Sequence, residues 1–117
     1  MDESILSIIK RRLGINSETT EFDYDIRSHI NSVFLSLRQL GIGPTTFFSI
    51  DENTTWNEYG TSLPVDIIED YIYFKVKLVF DPPASSAVIE AYKDRISELE
   101  FRMNIEVDTG GGVLYDR

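Results

Sequence analysis

Val65-Asp66-Ile67-Ile68-Glu69-Asp70-Tyr71-Ile72-Tyr73-Phe74-Lys75-Val76-Lys77-Leu78-Val79-Phe80 is the stretch that decides the fold class. Ile68, Ile72, Val76 and Val79 recur at steps of four and three and so share one row of a helix, while Ile67, Tyr71, Phe74 and Leu78 form an adjacent row. More than half of the circumference is therefore apolar, as expected of a helix covered on several sides rather than lying on a surface. Pro64 favours a helix start, because its fixed φ suits the first turn and its missing N–H would have no helical partner there. Asp66 then places a negative charge at the positive end of the helix dipole. Asp81-Pro82-Pro83 closes the run, since proline cannot continue a helix.

A central helix needs neighbours, and the flanking sequence supplies them. Downstream, Ser85 or Ser86 can cap a helix in which Val88, Tyr92, Ile96, Leu99 and Met103 repeat at helical spacing, with Glu90, Lys93, Asp94, Glu98, Glu100 and Arg102 on the outer side. Upstream, Asp23 serves as N-cap with Phe22 stapling the start, and Ile26, Ile30, Val33, Leu37 and Leu40 form a narrow stripe that suits packing within the subunit or a seam with another chain. Gly41-Ile42-Gly43-Pro44 stops this helix. At the N-terminus, Ile5, Ile8, Ile9 and Leu13 predict a helix over Asp2–Leu13, with Lys10, Arg11 and Arg12 complementing its negative end and Gly14 ending it. Residues 15–21 read as a loop. Thr45 to Leu63 reads as a long aromatic-rich loop, compatible with a short extended piece over 47–50 and a helical turn near Trp56, but alternating too briefly for a strand.

The expectation is an all-α fold, a small bundle of about four helices occupying residues 1–107, followed by a flexible Gly-rich tail over 108–117. Gly110-Gly111-Gly112 forms the joint, and Val113-Leu114-Tyr115 is an apolar cluster beyond it.

Composition agrees with a single modest core. A chain of 117 residues buries roughly two-thirds of its extended surface on folding, and 42% hydrophobic with 26% charged residues is ordinary globular usage. There is no cysteine, which removes disulfides and thiolate metal sites and fits a reducing compartment. The acidic start, Met1-Asp2-Glu3-Ser4, runs directly into an amphipathic pattern and does not resemble an export signal. No apolar run approaches the ~20 residues that span a bilayer, so a soluble protein is expected. Twenty acidic against eleven basic residues give a formal charge of −9, which disfavours tight binding to phosphate backbones or anionic lipid.

Catalytic, cofactor and metal signatures are absent from the pattern. His29 is the one histidine and has no second ligand at helical spacing. The serines show no matched histidine and acid. Asp51-Glu52-Asn53 lacks the glycine and closing glutamate of a calcium loop, and Glu69-Asp70 with Asp66 is the acidic first part of a helix. Gly110 to Gly112 is followed by no lysine and lacks a strand-to-helix setting, so it reads as linker rather than phosphate cradle. The candidate protein-interaction residues are Trp56, Val113, Leu114 and Tyr115. Trp56 could anchor a partner or fold the long loop onto the core; the apolar trio beyond the glycines has no evident core to join.

Three segments carry a family resemblance: Ile30-Asn31 with Gln39-Leu40-Gly41-Ile42-Gly43-Pro44; Tyr71-Ile72-Tyr73-Phe74-Lys75-Val76-Lys77-Leu78-Val79-Phe80-Asp81-Pro82-Pro83; and Glu98-Leu99-Glu100-Phe101-Arg102-Met103-Asn104. Taken in order, they resemble the head-tail connector, or adaptor, proteins of long-tailed bacteriophages and prophages. Related sequences often carry tryptophan at the position of Phe101, a swap that keeps an aromatic contact and loses the indole donor. The resemblance implies a structural virion protein, not an enzyme, assembled in the bacterial host cytoplasm. Its subunits would close into a ring of about a dozen copies under the portal, extend the DNA channel and offer a platform to a tail or stopper protein. DNA would pass without tight binding, and neither a membrane nor a small-molecule substrate would be involved. The alternative is an acidic helical adaptor or regulator that binds a cellular protein.

Overall fold

Ser4 opens the first helix: its Oγ accepts a hydrogen bond from the Ser7 backbone N–H at 3.1 Å, satisfying one of the donors a helix start leaves without a partner. In a computed structural model of the protein, which describes residues 3–110 and their side chains as far as Ile105, four α-helices follow one another. These are α1 (Ile5–Arg12), α2 (Asp23–Gln39), α3 (Val65–Phe80) and α4 (Ser86–Gly110), with one turn of 3-10 helix at Trp56–Glu58 between α2 and α3. Among the described residues there is no strand, only an isolated antiparallel bridge between Ser4 and Thr55. The all-α expectation and the central place of the decisive stretch both hold. α3 packs against α1, α2 and α4, whereas α2 and α4 scarcely meet.

Burial follows the periodicity. Ile5 and Ile9 from α1, Ile26, Ile30 and Leu37 from α2, and Ile68, Ile72 and Val76 from α3 are fully buried, and α4 adds Leu99 and Met103. Ten side chains of this kind, at about 1.5–3 kcal/mol each for full burial, are the dominant favourable term in a chain with no cysteine.

Three details differ from the pattern-based expectation. α1 starts at Ile5, not Asp2, because Ser4 is the residue whose side chain can cap. Asp23 is the first residue of α2 and not its cap: Phe22 takes the cap position without a side-chain bond, and the Asp23 carboxylate is held at 2.8 Å by Lys10 instead. Phe22 in turn meets Phe80 edge-on, with centroids 5.6 Å apart, linking the start of α2 to the end of α3. At the other end α4 runs to Gly110, past the boundary drawn at Val107.

Lys10 is only 4% exposed. Its Nζ donates to the Thr19 carbonyl at 2.7 Å and more weakly to that of Ser17 at 3.4 Å, in addition to pairing with Asp23. One buried ammonium thus closes the loop over residues 15–21 onto the start of α2, with its charge and its hydrogen-bonding capacity both met.

The long loop is held at several points. Asn31 on α2 treats Ile50 as a strand neighbour would: its Oδ1 accepts from the Ile50 N–H at 2.7 Å and its Nδ2 donates to the Ile50 carbonyl at 3.3 Å. The Ile5 N–H donates to the Thr54 carbonyl at 2.8 Å. Around Phe34 of α2, the rings of Phe48 and Tyr59 each lie with centroids 4.9 Å away and that of Trp56 at 5.9 Å, so the loop aromatics form a small second core.

Candidate interaction surfaces

Trp56 is half-buried in that aromatic cluster, also edge-on to Tyr59 at 5.6 Å, and its Nε1 is buried with no hydrogen-bond partner among the described residues. The structure gives it the loop-folding contact. Val113, Leu114 and Tyr115 lie outside the described residues, so the four candidates of the sequence are not brought together. Asp51 spends its carboxylate locally, accepting from the Asn53 N–H at 2.8 Å and the Thr54 hydroxyl at 3.0 Å, and those bonds hold its pKa below the usual value, the Asn53 one most. Among the described residues no three histidine, cysteine, aspartate or glutamate side chains gather as metal ligands would.

Two helix faces that the sequence did not single out stand out in the fold. On α4, Leu99 and Met103 are buried against α3. Phe101 lies two positions from each, which at about 3.6 residues per turn is the opposite side of the helix, and it is 65% exposed; Ile105, one turn on, is 47% exposed. The rest of that outer side is ionic but not cationic: Lys93 pairs with Glu90 at 3.6 Å and Arg102 with Glu98 at 3.8 Å, while Arg95, one turn before the buried Leu99, pairs with Glu98 at 2.8 Å and with Asp70 of α3 at 3.9 Å. No basic stripe is left for a phosphate backbone.

The second face belongs to α2. Ser28, Ser32, Leu35 and Gln39 are exposed, each two positions from a buried residue among Ile26, Ile30, Val33 and Leu37. Residues 28–37 contain no acid, lysine or arginine. Ser36 donates to the Ser32 carbonyl at 3.3 Å within its own helix. Beside this face, His29, Ser32, Val33 and Ser36 of α2 and Lys75, Val76 and Val79 of α3 line a shallow groove of about 120 Å³, with Val79 62% exposed. The periodicity could place Ser32 and Ser36 off the core stripe; nothing in it could show that they meet a groove.

Burial dominates the electrostatics of the tyrosines. The Tyr71 hydroxyl, within a residue 1% exposed, donates to Glu100 Oε2 at 2.7 Å and ties α3 to α4. Desolvation first, and that bond second, push its pKa far above the usual value. Desolvation alone raises the Tyr59 phenol to about 12.

Compared with known proteins, the chain matches the family model described as phage connector protein over residues 5–110, a span that takes in all four helices and the aromatic loop. None of the curated proteins and none of the solved structures compared with it matches.

Proposed function

The chain belongs to the phage connector protein family, and we propose on that premise that it is the head-tail connector subunit of a virion. In this reading it forms a ring under the portal, prolongs the DNA channel and offers its far face to a tail or stopper protein. The family is structural and not enzymatic. The observation that carries the proposal is the family match over residues 5–110. The surface fits it: exposed apolar residues are spread over separate faces, among them Phe101, Val79, Leu35 and Phe47, as a subunit with several protein neighbours requires. A formal charge of −9 makes the subunit a poor ligand for DNA, so a channel it helps to line lets the duplex slide. Val113, Leu114 and Tyr115 are proposed as a contact with the portal or a neighbouring subunit, and Trp56 as a residue that serves the loop first.

An early stop codon in this reading frame of the encoding virus tests the proposal. Heads that fill with DNA but leave the cell without tails are expected. Tailed, infectious particles made without this chain would remove its assigned role.

A further inference from the structure

We propose that the groove between α2 and α3 is a docking site for a peptide segment of another protein, one in which a carboxylate stands beside a leucine- or valine-sized side chain. The inference goes beyond the connector reading and does not depend on it, because it names the chemistry of the segment and not the protein that carries it.

Lys75 singles this groove out. Among the described residues, every lysine and arginine except Arg38 and Lys75 pairs with a carboxylate, as expected in a chain of formal charge −9. Arg38 is exposed and donates from Nε to the Thr45 carbonyl at 3.1 Å. Lys75 is partly buried and lines the groove, and its Nζ makes one long hydrogen bond, to Tyr71 Oη at 3.5 Å, with the ring of that tyrosine 5.2 Å away. The Tyr71 proton is already given to Glu100, so the tyrosine positions the ammonium without neutralising it. An ammonium has three donors, and no carboxylate lines the groove to take the others. A partly buried cation without a counter-charge carries a desolvation cost that an incoming carboxylate offsets.

The valines supply the second half of the recognition. Val33, Val76 and Val79 make one side of the groove apolar, and Val79 is left 62% exposed. The space is about 120 Å³; a cavity of about 150 Å³ encloses a benzene, so one aliphatic side chain fits and a cofactor does not. His29 and Ser32 also line it and offer hydrogen-bonding groups to a peptide backbone. A nucleic acid is a poor occupant, since it brings no aliphatic group for the valines and a lone lysine is no basic stripe.

The test titrates the full-length chain with three capped dipeptides, Leu-Glu, Leu-Gln and Gly-Glu, and follows backbone amide resonances by NMR. Leu-Glu is expected to move the resonances of His29, Ser32, Lys75, Val76 and Val79 with a dissociation constant on the order of millimolar. Leu-Gln lacks the charge and Gly-Glu the apolar side chain, and each should bind about tenfold more weakly. Lys75→Gln should abolish the preference for Leu-Glu over Leu-Gln, and Val79→Ser the preference over Gly-Glu. Neither side chain is in the core, so resonances away from the groove stay in place. Absence of movement with Leu-Glu overturns the proposal, and so does either preference surviving its variant. Acetate alone matching Leu-Glu would reduce the site to an adventitious ion only. Movement of the same resonances on concentrating the chain without peptide would give the groove to a second copy, which also overturns the assignment. The connector reading stands or falls separately, on the stop-codon particles.

Discussion

Gly43→Ala is the substitution for which the fold makes the sharpest demand. Gly43 has φ +85°, and a Cβ added there would sit 2.3 Å from Tyr59 Oη, 2.6 Å from Cζ and 2.9 Å from Cε1. Carbon contacts are comfortable at about 3.5–4.0 Å, so the ring must retreat by about 1 Å. It has nowhere simple to go: Tyr59 is 6% exposed, with the rings of Phe34 and Phe48 each 4.9 Å away. Left-handed backbone disfavours alanine by about 1–2 kcal/mol, and forced repacking of a filled site adds about 1–3 kcal/mol. The expected loss is therefore about 3 kcal/mol, which for a domain of this size lowers the melting temperature by about 10 °C or more. Gly41→Ala is the control. Its φ is +83°, yet nothing lies within 4 Å of the added Cβ, so only the backbone term of about 1–2 kcal/mol remains. Melting followed by circular dichroism compares the two. If Gly43→Ala and Gly41→Ala melt together, the steric argument and the packing of Tyr59 against the Gly41–Pro44 turn are wrong.

Four further outcomes follow from the same contacts. Tyr71→Phe removes a partly buried bond to Glu100 and should lower stability in urea unfolding by about 1–1.5 kcal/mol; an unchanged midpoint would show that the α3–α4 link carries nothing. Lys10→Met takes the cation from Asp23 and from the Thr19 carbonyl and should destabilise by about 2–4 kcal/mol, read from the same unfolding curves, whereas a neutral result would mean the loop over 15–21 closes without it. Because folding raises the Tyr59 phenol to about 12, its protonated form is favoured in the native state; the stability it contributes is intact below pH 10 and is lost as pH climbs from there through 12. Tyrosinate absorbance and unfolding measured in parallel should show that window narrowed in Tyr59→Phe. Removing residues 111–117 should leave the melting temperature nearly unchanged and weaken incorporation on the portal, read by co-sedimentation; a large drop in melting temperature would assign the segment to the fold.

The helices were legible where local chemistry and burial agree. Pro64 and Asp81-Pro82-Pro83 bracket α3 as read, and Gly41 and Gly43, both at positive φ, end α2 as read. Asp23 was misread because capping preference is a local tendency, and a lysine thirteen positions earlier in the chain claims its carboxylate. Nor could the sequence show Lys10 as anything but a helix-end cation, since its burial depends on the path of the loop over 15–21. The aromatic loop was recognised by composition, but its anchoring by both ends of the Asn31 amide is a tertiary fact with no periodic signature. Trp56 was singled out as an aromatic in a loop, and its ring packs on Phe34 and Tyr59. Phe101, in contrast, is more exposed than its hydrophobicity alone suggests; two-residue offsets from Leu99 and Met103 carried that information, because they set it opposite the buried stripe.

The central claim is that this chain is the subunit joining a phage head to its tail, and electron microscopy of the purified protein mixed with its cognate portal tests it most directly. The account predicts a closed ring of this chain seated coaxially on the portal, with the channel continuous through both. Portal particles bare at that face, with this protein remaining dispersed at concentrations well above those of assembly in a host cell, would contradict it.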